Sequence, residues 1–121
     1  MSWLSAALLV CSSGDPATVQ AVVVAAEAHA VDPALALAVA CIESGFRGAN
    51  PMGVHGCYPA HRNGRNQAVC VALGVLSLRN RLRSCGGTEG CALRRYNNHP
   101  KHKVRYAKRV AAVAAVVRRN K

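Results

Sequence analysis

DPALALAVACIESGFR, residues 32–47, decides how this chain of 121 residues is built. Asp32 offers a side-chain acceptor at a helix N-cap, and Pro33 brings a φ already set for the first helical turn. The run from Pro33 to Ile42 carries no charge, and Gly45 and Gly48 end it. The same start signal, Asp15 followed by Pro16, stands upstream. Two successive helices are predicted, over about 16–30 and 33–45.

Working outward, Ala49 to Asn66 is rich in Gly, Pro, Asn and His and reads as a long loop, which in a compact domain is usually functional. Val71, Val75, Leu78 and Leu82 then recur at three- and four-residue steps and predict a helix over about 67–84. Thr88 stands where a side chain can cap a short helix reaching Tyr96, with Glu89 favourable to its dipole. Val110, Val113 and Val117 line one side of a last helix over 103–119. No alternating run proposes a strand. The expected fold is all-α: one compact domain of about five helices over 15–121, preceded by an apolar segment over 1–14. Within that segment, Trp3 to Cys11 is too short to span a bilayer, which takes about 20 apolar residues. No Lys or Arg precedes it and no small-residue cleavage signal follows, so a first structural helix or a membrane-touching start is expected rather than a standard leader.

Composition agrees with close helix packing. Aromatics are only 4% of residues, whereas 22 Ala and 16 Val supply much of the 51% apolar content, so the core is made of small side chains rather than large rings. The formal net charge of +11 points to an anionic partner. Six cysteines in a short basic chain fit disulfide stapling in an oxidising compartment. Cys85 and Cys91 bracket a turn-rich stretch and can pair locally, and Cys57 and Cys70 can close a second loop. Six cysteines allow about fifteen pairings. Cys41, inside an apolar helical run, reads as a small buried residue.

Only five carboxylates exist, and elimination narrows them. Asp15 and Asp32 read as caps, Glu89 as a first-turn dipole partner and Glu27 as an ordinary helix residue. Glu43 remains, on the same helical face as Val39 and Ala36. Partial burial there raises its pKa and keeps part of it protonated near neutrality, as a general acid requires. The plain alternative is a surface pair with Arg47 at i, i+4.

The segments DPALALAVACIESGFR (32–47), NPMGVHG (50–56) and ALRRYNNHP (92–100), followed by Tyr106, come in an order that resembles the soluble-type lytic transglycosylases, lysozyme-like enzymes that cut peptidoglycan. The resemblance covers about residues 17–117. It implies that Glu43 is the catalytic acid and base with Ser44 beside it, and that Tyr96 and Asn97 support the glutamate and the sugar. It implies a lysozyme-like fold, glycan strands of peptidoglycan as substrate and no cofactor. After Gly53 and Gly56 the family usually continues Leu-Met-Gln, but here Cys57, Tyr58 and Pro59 follow, so the glutamine that contacts the glycan is missing from its place. Tyr58 either stacks on a sugar instead or packs as a loop tyrosine.

Retaining glycosidases need a second carboxylate about 5 Å from the first, and inverting ones about 6.5 to 9.5 Å away. No obvious partner for Glu43 stands in the sequence. The resemblance implies a single-acid reaction that closes a 1,6-anhydro ring, with hydrolysis by water, as in goose-type lysozymes, as the near alternative. Anionic wall and envelope polymers suit the charge. The chain is expected outside the cytosol or in a virion, as a monomer unless built into a virion or envelope assembly. The rival class is a nucleic-acid module, because Lys101, Lys103, Arg105, Lys108, Arg109, Arg118, Arg119 and Lys121 crowd the last helix. No base-reading motif accompanies them, and a basic terminal helix is usually a solvated face. His55, Cys57, His61 and Cys70 hold the atom types of a zinc site, but their spacing matches no usual pattern, so no metal is expected. His99 either lines the cleft or merely precedes the break at Pro100, and His29 and His102 read as partly exposed.

Overall fold

The computed structural model describes residues 1–57, 65–97 and 99–121. They form six helices: α1 (Trp3–Val10), α2 (Pro16–Ala28), α3 (Pro33–Ser44), α4 (Arg65–Ser84), α5 (Glu89–Tyr96) and α6 (Lys103–Asn120). Both Asp-Pro starts form as read. Asp15 Oδ1 accepts from the Ala17 amide at 3.2 Å and Asp32 Oδ1 from the Ala34 amide at 2.9 Å, each with its proline at the start of the helix. Gly45 closes α3 in the left-handed conformation, its N–H donating to the Cys41 carbonyl at 2.8 Å. Thr88 occupies the N-cap of α5 but makes no side-chain capping bond.

α3 is the central element. Every residue from Ala34 to Cys41 is buried, which requires neighbours on all sides, and α1, α2 and α6 all pack against it. Alternating alanines let those helices approach closely while Leu35, Leu37 and Val39 fill the space between them. Val71, Val75 and Leu78 of α4 and Val110 and Val117 of α6 are fully or almost fully buried, so both predicted stripes face the core. Phe46, just past the end of α3, is the largest fully buried side chain and holds a positive φ of 63°. Its carbonyl accepts the Asp15 amide at 3.2 Å, which joins the end of α3 to the start of α2.

Of the two readings of the apolar segment, it takes that of a first structural helix: α1, whose Ala6 and Ala7 are completely buried against the core, makes the helices of the described residues six rather than about five. The sequence reading needs one correction. Cys41 is not merely a small buried residue, because it is bonded to Cys11 and fastens α1 to α3. The other two pairings, Cys57 with Cys70 and Cys85 with Cys91, are as read. Three such bridges are characteristic of proteins that mature in an oxidising environment. Among the described residues no helix is long and apolar enough to cross a membrane.

The bridges close chain segments of different length, with sequence separations of 30 for Cys11–Cys41 and 6 for Cys85–Cys91. On chain entropy, replacing the first pair by alanine costs about 3 to 4 kcal/mol and replacing the second about 2. Urea unfolding of the two double variants checks the order, and equal midpoints would contradict it.

Candidate active site

Glu43 lies in the last turn of α3, where the helix leaves the core, on the face continuous with the buried Val39 and Ala36. The chain returns to it through the loop after Gly48. In that loop Asn50 Nδ2 donates to the Val54 carbonyl and Asn50 Oδ1 accepts from the Val54 amide, both at 2.9 Å, which closes a tight turn. Met52 within the turn is fully buried, its side chain seated on α4 at Gly74. Gln67 of α4 adds a tie, donating to the Gly48 carbonyl at 2.9 Å and to Thr18 Oγ1 at 3.0 Å.

This anchoring presses Gly53 against the acid. Gly53 has φ +65°, and a Cβ built on it would lie 2.5 Å from Glu43 Oε1 and 2.8 Å from the carboxyl carbon. A side chain there would displace the Glu43 carboxyl, and an L-residue would also be strained in that conformation. Tyr96, the last residue of α5, donates its hydroxyl to the Met52 carbonyl at 2.6 Å and so fixes the same turn from the other side.

Tyr106 of α6 completes the cluster. Its side chain is buried and its hydroxyl is directed at the Glu43 carboxyl. The hydroxyl is close enough to act on the carboxyl but makes no well-formed hydrogen bond to any of the described residues. Glu43 as a residue stays open to solvent, while its carboxyl meets Gly53 and the Tyr106 hydroxyl. Loss of hydration raises the carboxyl above the usual glutamate range, and the Tyr106 hydroxyl offsets part of the rise. Burial first, and the Glu43 charge second, push the phenols of Tyr96 and Tyr106 well above the ordinary tyrosine range, so both stay protonated as donors.

Of the residues singled out from sequence, Glu43 and Tyr96 are brought together. Asn97 is adjacent as the C-cap of α5, its Oδ1 accepting from the His99 amide at 3.2 Å. Ser44 is not part of the cluster: its hydroxyl donates to the Ala40 carbonyl at 3.1 Å and accepts from the Arg47 amide at 3.2 Å, at the helix end. Tyr58 and His61 lie outside the described residues. The surface pair between Glu43 and Arg47 does not form, since the Arg47 guanidinium reaches Ser13 instead. Cys57 and Cys70 are bonded to each other and have no thiolate to offer a metal. Gly53 and Tyr106 were visible in the motifs, but nothing in their spacing told that one cradles the carboxyl and the other points at it.

The remaining carboxylates are engaged or distant. Asp15 caps α2 and also accepts from the Thr18 hydroxyl at 3.0 Å. Asp32 caps the opposite end of α3, about 16 Å away at the helical rise, and shares Arg118 with Glu89. Glu27 is exposed at the end of α2 that turns back into the start of α3. Glu43 therefore has no carboxylate partner among the described residues. No family model, curated protein or solved structure matches the chain.

Two outcomes test the environment of Glu43. Tyr106→Phe removes a donor that favours the charged carboxylate, so the Glu43 pKa, followed by carboxyl carbon NMR, moves further up. An unchanged or lower value would show that the hydroxyl does not act on it. A carboxyl raised in the folded state binds protons that the unfolded chain has released, so the stability it contributes is lost as pH rises from the ordinary value, near 4.5, through the folded value. Glu43→Gln should abolish that part of the pH dependence and be at least as stable as the parent at neutral pH. A variant less stable at pH 7 would contradict this.

Proposed function

We propose that the chain is a peptidoglycan lytic transglycosylase that cleaves the bond between N-acetylmuramic acid and N-acetylglucosamine with Glu43 as its one acid and base. The observation that carries the reading is the Glu43 carboxyl itself. It is lodged against Gly53, directed at by Tyr106, raised above the usual glutamate range, and without a second carboxylate beside it. The likeness of the segments at 32–47, 50–56 and 92–100 to the soluble-type enzymes supports the same assignment.

In this reaction the protonated Glu43 gives its proton to the glycosidic oxygen as the bond to the muramoyl C1 breaks. The C6 hydroxyl of the same sugar then attacks C1, and the Glu43 carboxylate takes the hydroxyl proton. The C1–O6 bond closes a 1,6-anhydro ring, no water is consumed, and Glu43 ends protonated again. A second carboxylate is not needed because the intramolecular hydroxyl is the nucleophile. Tyr96 holds the Met52–Gly53 turn in place, and Tyr106 supplies a neutral donor that steadies the carboxylate between the two proton transfers. Anhydro formation and hydrolysis differ in product mass by one water. The disulfides support a reading in which the activity lies outside the reducing cytosol, in the extracytoplasmic space or carried by a virion. A nucleic-acid role uses the basic face of α6 but leaves the Glu43 cluster without a purpose.

Glu43→Gln should lower the rate of muropeptide release from purified sacculi by at least about 100-fold, the scale of general acid and base catalysis, with unchanged circular dichroism. Mass spectrometry of the products of the parent protein should give 1,6-anhydromuramoyl ends. Lysis by Glu43→Gln at the parent rate would end the proposal, and products carrying an added water would convert it to a muramidase.

A further inference from the structure

Tyr106, which interacts with the acid, also lines a cavity of about 200 Å³, together with Asn97, His102, Arg105 and Arg109. It is below the size range of pockets that enclose a whole drug-sized ligand, about 300 to 1,000 Å³, and fits a small group. Arg105 and Arg109 are exposed and stand one turn apart on α6. Like charges at that spacing disfavour the helix, and no acid compensates them: the ion pairs among the described residues all belong to Arg118. Neither guanidinium has a hydrogen-bond acceptor among those residues, a condition shared with Arg79, Arg83, Arg94 and Arg119, but Arg105 and Arg109 are the two of these that line this cavity. The wall they share, Tyr106, is buried and is the residue aimed at Glu43.

Resting on the proposed function, we infer that this cavity is a carboxylate subsite, in which Arg105 and Arg109, with Asn97 and His102 beside them, receive the acidic substituent on the muramoyl residue being cut. The chemistry fits. Two arginines lining one small cavity can receive a planar anion, and the acidic group of the polymer hangs from the sugar that carries the reacting C1. Two sources carry that group, the lactyl arm itself or the peptide stem attached to it. Seating it would set which sugar of the alternating strand stands over Glu43. Arg105 and Arg109 are therefore positioning residues, assigned to substrate register rather than to proton transfer.

The test is binding to the wild-type protein, followed by NMR titration with N-acetylglucosamine, N-acetylmuramic acid and N-acetylmuramoyl-L-alanyl-D-isoglutamine. None of these probes has a bond to cleave. Preference for N-acetylmuramic acid over N-acetylglucosamine, reduced about tenfold in Arg105→Ala/Arg109→Ala and weakened by salt, establishes the lactyl source. Preference for the dipeptide conjugate alone, with the same losses, establishes the stem. Equal binding of all three, binding of none, or an unchanged affinity in a double variant that keeps its melting temperature overturns the subsite. Failure of the transglycosylase reading shows separately, as sacculi left uncut by the wild-type protein.

Discussion

A helix without charge from Pro33 to Ile42 is buried on all sides here, and that burial constrains everything around it. Alternating alanine keeps α3 thin enough for α1, α2 and α6 to close on it together. The first ionisable group after the run has one place to stand, the point where the helix leaves the core. Glu43 is thus neither fully buried, which would neutralise it altogether, nor free on a surface. Its raised pKa follows from where the greasy run stops.

The site is then finished by main chain more than by side chains. Gly53 brings bare backbone against the carboxyl, and the turn that carries it is held by Asn50, by Met52 on α4 and by the Tyr96 hydroxyl. A charged partner would have fixed the carboxylate in its ionised form. A tyrosine hydroxyl instead stabilises the anion modestly and leaves the group able to bind a proton, which suits the acid-and-base role proposed for it.

Helix positions were legible because their determinants are local. Asp-Pro caps, glycine stops and valine spacing lie within a few residues of the ends they define, and the observed bounds differ from the predicted ones by only a few residues. Glu43 was reachable by elimination because carboxylates are so few. What escaped was long-range. The partner of Cys41 is thirty residues away in the apolar N-terminal segment, and Arg118 joins Asp32 and Glu89 across the fold. Gly53 and Tyr106 meet Glu43 only through tertiary packing, and the Arg105 and Arg109 pair reads as ordinary solvated charge until the fold sets Asn97 and His102 around the same pocket.

Arg118 links the start of α3 to the start of α5, and the far ends of those two helices carry Glu43 and Tyr96. The pair are struts of unequal length on a shared footing. Exposed bridges of this kind add little to stability, but the shared footing fixes how many residues each strut contains. One residue inserted into α3 would advance Glu43 by about 1.5 Å and swing it by about 100°, out of reach of Gly53. Side chains along α3 are constrained in volume, its alanines to stay small and Leu35, Leu37 and Val39 to fill the space between helices, and its residue count is constrained as well.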